Sequence, residues 1–234
     1  MITAWENSPH IMIIEELKTV FIHIPKSAGT SLEDSLIRRY PYLANQQMWN
    51  YKLELPAVWL YNYFTDRTIL VCNKHARAED YRKAGYAGYR HVALVRHPLA
   101  RWESMFGFLK WRKLLSSKIT FDEWTENAIW AMKYNDPDGF IDKLEWWKWL
   151  KQFPTNLEYQ SFMLRQVDFV DRGTKIYRLE DEKGADGGIW KDLDCYQYPS
   201  RSLQTPKELK VKANKFITKK IENYFKEDYE EFGY

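Results

Sequence analysis

Residues 19–31 read Thr-Val-Phe-Ile-His-Ile-Pro-Lys-Ser-Ala-Gly-Thr-Ser, a strand-to-helix pattern expected of an α/β fold. The β-branched and aromatic run Val20, Phe21, Ile22 and Ile24 predicts a strand that breaks at Pro25. A loop of small residues with one lysine follows, and Leu32, Leu36 and Ile37 then set a helical spacing. Strand, loop and helix in this order make an anion cradle. Backbone N–H groups of the loop and first helical turn face the ligand, Gly29 admits a close backbone approach, and Thr30 and Ser31 add hydroxyl donors. Lys26 supplies positive charge. A nucleotide-triphosphate loop places its lysine directly before the metal-binding hydroxyl; in this chain Lys26 precedes Gly29, which argues against ATPase or kinase chemistry.

Residues 91–106 (His-Val-Ala-Leu-Val-Arg-His-Pro-Leu-Ala-Arg-Trp-Glu-Ser-Met-Phe) predict a second, buried strand over Val92 to Val95. Pro98 can open the next helix, which buries Leu99, Trp102, Phe106 and Leu109 at helical spacing. Arg96 stands at the carboxyl end of its strand, where open α/β sheets bind ligands, and Ser104 follows on the helix.

The pair Ile24-Pro25-Lys26-Ser27-Ala28-Gly29-Thr30-Ser31 and Val95-Arg96-His97-Pro98, with Arg101 and Ser104, resembles the two cofactor signatures of the PAPS-dependent sulfotransferases. The likeness is to the carbohydrate group (family 2) that includes the heparan 2-O and chondroitin enzymes. The closing run from Tyr224 to Tyr234 resembles that family's Asp-Tyr…Phe-Gly-Tyr ending, and Ile176 to Asp181 its late strand ending in Glu. The resemblance implies that Lys26, Ser27, Ala28, Gly29, Thr30 and Ser31 hold the 5′-phosphosulfate of 3′-phosphoadenosine-5′-phosphosulfate (PAPS). It implies equally that Arg96 and Ser104, with the family's separation, hold the 3′-phosphate, which stays on the product PAP. It covers residues 18–40 and 90–106 most closely, then 68–82 and 175–234, and nothing from 107 to 165.

Thr68 to Cys72 predicts a short strand, Asn73-Lys74-His75 follows it, and a helix is expected from near Ala76. Related enzymes place a proton-abstracting His after such a strand, so the resemblance gives His75 the role of general base and Lys26 that of stabilising the leaving group. A near-neutral imidazole suits removal of a hydroxyl proton. His23, His91 and His97 also lie near strand ends; His23 alternates within its strand as a structural residue, and His97 precedes Pro98 at the start of a helix. Arg101 has two open readings, phosphate contact or solvent. Arg201, in Pro199-Ser200-Arg201-Ser202, falls where relatives carry a cofactor- or acceptor-facing loop and is a further phosphate candidate beside an ordinary loop role. No His, Asp or Cys cluster at metal-ligand spacing occurs, so the expected chemistry is metal-free.

The length of 234 residues bounds the chain to one domain, expected over residues 1–234 with a helical elaboration at 107–165. A net charge of +3, from 35 basic and 32 acidic residues, does not call for nucleic acid, and it accommodates a local cleft for an anionic cofactor. Two cysteines, Cys72 and Cys195, argue against a disulfide framework and for a reducing compartment. No apolar run spans a bilayer and no leader pattern opens the chain, so a cytoplasmic enzyme is expected.

The middle reads as helices. Thr120-Phe121-Asp122-Glu123 is a capping box before Trp124, Ala128, Ala131 and Met132, Asn135 to Gly139 is a break, and Leu144, Trp147 and Leu150 mark another helix before Pro154. Trp146, Trp147 and Trp149 cannot share one helix face, because neighbours lie about 100° apart. A Trp-rich core and an acceptor site that stacks rings on indoles are both open readings. The aromatic and amide-rich stretch Tyr40 to Tyr63 is a candidate for the acceptor rim. Asp186-Gly187-Gly188 predicts a turn. Thr205-Pro206-Lys207-Glu208 predicts a second capping box opening a long helix through Phe225.

The expected architecture is a P-loop-like three-layer α/β fold, with a short central parallel sheet between helices and a Trp-rich helical acceptor side. The expected function is transfer of a sulfuryl group from PAPS to a hydroxyl, on a saccharide by family likeness, with a small alcohol, lipid or tyrosine also compatible. Two other classes remain open from sequence: a non-catalytic PAP- or anion-binding module recognising a glycan or protein, and an ATP-dependent phosphotransferase. Oligomeric state is not legible.

Overall fold

A computed structural model describes residues 13–41, 43, 75–111, 113, 115–134, 163–182, 188–195 and 205–234. The predicted strand at 68–72, the helix at 144–151, most of the Tyr40–Tyr63 stretch and Arg201 lie outside them. The described part is mixed α/β, with a four-stranded sheet of order β1-β2-β3-β4 and seven α-helices among the described residues.

The chain divides into two compact units, Met1–Val95 with Asp168–Ser202 and Arg96–Val167 with Leu203–Tyr234. The first unit holds the sheet. Strands β2 (Thr19–Ile22), β3 (Arg90–Val95) and β4 (Thr174–Arg178) run parallel, with Ile22 opposite Ala93 and Val95 opposite Arg178. Val20, Phe21, Ile22 and Val92 to Val95 are all fully buried, as continuous apolar runs predict for strands covered on both faces. The sheet is not purely parallel as expected. β1 (Ile13–Ile14) pairs antiparallel with β2 through a short turn in which Lys18 takes a left-handed conformation. Only two residues long, β1 carries no alternation that would set its direction.

Helix α1 (Gly29–Arg39) follows the loop after β2. Its last turn is basic, which suits the negative end of the helix, and Arg39 there donates to both the carbonyl and the carboxylate of Asp194, each Nε bond at 3.0 Å. The short helix α2 (Ala78–Tyr81) begins two residues later than expected, because the Asp80 carboxylate accepts the Arg77 N–H at 2.9 Å and caps the helix there. A π-helical turn, Arg82–Tyr86, leads to β3. Arg82 donates to Asp171 in the turn before β4, at 2.5 and 3.0 Å. Gly188, placed by sequence in a turn, opens helix α5 (Gly188–Asp192), whose Asp192 accepts from Arg90 and Lys175 of the neighbouring strands.

The second unit is helical. Helices α3 (Pro98–Trp111) and α4 (Phe121–Tyr134) start where Pro98 and the capping box predict, with the Glu123 carboxylate accepting the Thr120 N–H and the Thr120 hydroxyl accepting the Glu123 N–H. Trp102, Phe106, Trp124, Ile217, Ile221 and Phe225 form the centre of its core. The Trp102 and Trp124 rings lie 4.5 Å apart, and the Trp102 indole N–H donates to the buried Thr125 hydroxyl.

The long helix expected from Thr205 does not form. Lys207–Leu209 is a 3-10 turn, residues 210–214 form no regular element, and α6 (Lys215–Tyr224) starts only after Asn214, whose side chain accepts the Ile217 N–H. Tertiary contacts outweigh the local cap: Val211 packs on the core, and Glu103 accepts the Ala213 N–H at 2.9 Å. A break at Phe225 separates α6 from α7 (Lys226–Phe232). Among the described residues, no helix is long and apolar enough to cross a membrane.

Candidate functional site

The loop after β2 carries two left-handed residues that are not glycine, Lys26 (φ 66°) and Ala28 (φ 61°), with Ser27 of ordinary sign between them. Within the loop the Ser27 N–H donates back to the Ile24 carbonyl at 3.3 Å. The Ala28 carbonyl receives the first bonds of α1, from Ser31 at 3.0 Å and Leu32 at 3.2 Å. The N–H groups of Gly29 and Thr30 are left without a protein acceptor among the described residues, at the positive end of the helix. Lys26, Ala28, Thr30 and Ser31 are half-buried, and Ser27 is buried.

Gly29 serves a purpose that sequence reading missed. A Cβ at this position would lie 2.2 Å from the His23 imidazole, so the glycine admits that ring beneath the helix start. His23 is buried, with Nδ1 2.6 Å from Oε1 of the equally buried Glu33. Glu33 shares the buried face of α1 with Gly29, Leu32 and Leu36, and an acidic residue on an apolar stripe is the signal that would have exposed the pair.

His75 lies against this base. Its ring meets the His23 ring edge-on at 4.9 Å, and its Nδ1 is 3.1 Å from the His23 backbone carbonyl. A carbonyl oxygen only accepts, so Nδ1 carries the proton of the neutral ring and Nε2 bears the lone pair. The half-buried side chain is therefore in the tautomer that a general base needs on Nε2.

Two sequence candidates belong to the second unit. Arg96 and Ser104 are half-buried, Ser104 on α3. The Arg96 backbone is gripped by one side chain: the Arg96 N–H donates to Gln166 Oε1 at 2.9 Å, and Gln166 Nε2 donates to the Arg96 carbonyl at 2.8 Å. The His97 ring meets Tyr229 and Tyr234 edge-on, at 5.4 and 5.2 Å. Arg101 is buried rather than solvent-facing and donates to the Leu164 carbonyl at 3.0 Å. Asp228, fully buried in α7, accepts the N–H groups of Gln166 and Val167, each at 2.9 Å. Burial pushes its carboxyl pKa up, against the pull of those two N–H groups and of the Arg101 charge.

Among the described residues, no group of three or more His, Cys, Asp or Glu could hold a metal ion. Comparisons with family models, with curated proteins and with solved structures each return no match.

Proposed function

We propose that this chain is a sulfotransferase moving a sulfuryl group from PAPS to an acceptor hydroxyl, in a P-loop-like fold. The observation that carries the reading is His75 held by the His23 carbonyl, in the same unit as a loop whose Gly29 and Thr30 N–H groups have no protein acceptor among the described residues. A base in a defined tautomer and an anion cradle then share one corner of the first unit, as in-line transfer between an oxygen nucleophile and a phosphosulfate requires.

The acceptor oxygen attacks sulfur as the bond from sulfur to the bridging oxygen of the 5′-phosphate breaks. The acceptor proton passes to His75 Nε2. The negative charge that grows on the departing phosphate meets Lys26, the Gly29 and Thr30 N–H groups and the Ser31 hydroxyl, donors in place before the reaction. Arg96 and Ser104 take the 3′-phosphate, and Ser27 and Ala28 complete the backbone of the cradle. The acceptor is a saccharide by family likeness.

The test is transfer of labelled sulfate from PAPS to a panel of hydroxyl compounds that includes mono- and oligosaccharides. Product with the wild-type protein and none with Lys26→Ala supports the reading. Equal turnover by the two proteins would overturn it.

A further inference from the structure

Gln166 occupies an unusual position. Its carboxamide bonds both backbone groups of Arg96, the N–H at 2.9 Å and the carbonyl at 2.8 Å, as a neighbouring strand would. A carboxamide offers a donor and an acceptor side by side in one plane, and the pair fixes the peptide groups on both sides of the Arg96 Cα. The side chain is fully buried. Gln166 is itself fixed, since its own N–H donates to Asp228 and the preceding segment is tied by Arg101 to the Leu164 carbonyl. The next residue, His97, packs edge-on against the rings of Tyr229 and Tyr234. The C-terminal helix thus reaches the Arg96-His97 pair by two routes, one polar through Gln166 and one aromatic.

We propose that Gln166, anchored by Asp228, is a positioning residue that orients Arg96 for the 3′-phosphate of the nucleotide; the inference rests on the sulfotransferase reading of Arg96. Gln166 itself does not touch the nucleotide. An apolar side chain of the same length would fill the space but leave two backbone groups of Arg96 without these partners, at the point where the direction of its guanidinium is set. The family-like ending around Asp228 and Tyr229 then has a physical role: it holds a phosphate-binding residue some 130 positions earlier in the chain.

The experiment is calorimetric titration of the full-length protein with PAP and with 5′-AMP, which lacks the 3′-phosphate, for wild type, Arg96→Ala, Gln166→Met and the double variant. Gln166→Met is expected to weaken PAP binding about tenfold, the scale seen when a residue orienting a ligand-binding group is lost, while 5′-AMP binding stays within about twofold. In the double variant, Gln166→Met should add nothing to the loss from Arg96→Ala, because both act on one contact. Gln166→Glu keeps the acceptor for the Arg96 N–H and is expected to recover part of the affinity; it also serves should the methionine variant fail to fold. Equal weakening of PAP and 5′-AMP, or additive losses in the double variant, would show a merely structural role and overturn the proposal. Loss of PAP affinity in Arg96→Ala but not in either Gln166 variant would overturn it while leaving the function intact. Unchanged PAP affinity in Arg96→Ala would remove the phosphate role of Arg96, and the role of Gln166 with it.

Discussion

His75 donates its Nδ1–H to the backbone carbonyl of His23 across 3.1 Å, so the residue that follows β2 fixes the tautomer of an imidazole 52 positions later. That bond predicts a separation between chemistry and binding. His75→Ala should lower PAPS-dependent transfer by about a hundredfold or more, the usual contribution of a general base, while PAP affinity measured by calorimetry changes by less than about threefold. Equal losses in transfer and in PAP affinity would instead make His75 a binding residue.

The His23–Glu33 pair beneath the loop is buried on both sides, with side chains 4% and 1% exposed. Removing one partner of such a pair leaves the other buried and uncompensated. Glu33→Ala is expected to lower stability by about 3 kcal/mol in urea unfolding, and Glu33→Gln, which retains a hydrogen-bonding group at the same place, by clearly less. Unfolding midpoints unchanged in both variants would contradict the pairing.

Ala28 pays a conformational cost at φ 61° that glycine does not. Ala28→Gly should therefore raise stability by up to about 1 kcal/mol and leave PAP binding in place, because the loop already adopts the shape glycine prefers. A destabilised Ala28→Gly protein would show that the left-handed geometry is wrong.

Hydrogen bonds from Arg82 lower the Asp171 carboxyl pKa from 3.8 to about 2, with partial burial opposing them and Thr174 and Gly173 adding to the pull. A depressed folded-state pKa stabilises the protein above the unfolded value of 3.8, and that stabilisation fades as pH falls toward about 2. Both side chains are about a third exposed, so solvent screening reduces the effect to about 1 kcal/mol at neutral pH. Asp171→Asn should show that deficit in denaturant titrations at pH 7 and lose it near pH 2. A deficit constant across this range would refute the linkage.

The parts of the fold legible in the sequence are those written in local periodicity. Val20 to Ile22 and Val92 to Val95 announce buried strands, and Pro98 and Thr120 mark helix starts that the structure retains. The cap at Thr205 had the same local grammar and did not open a helix. Contacts to Glu103 and the core, more than a hundred positions away in the first case, hold residues 210–214 outside any helix. The supports of the candidate site were hidden for a related reason. The His23–Glu33 pair and the line from Asp228 through Gln166 to Arg96 join residues that neither motif nor spacing connects. The left-handed turns at Lys26 and Ala28 fall on residue types that do not advertise them.

If the loop from Lys26 to Ser31 binds the phosphosulfate end of PAPS, PAP must shift the thermal unfolding of the protein. At a concentration about a hundredfold above Kd, PAP should raise the wild-type Tm by about 5–10 °C, with little shift in Lys26→Ala and none from ATP with magnesium. A wild-type Tm that ignores PAP but rises with ATP and magnesium would rule out a PAPS site in this loop.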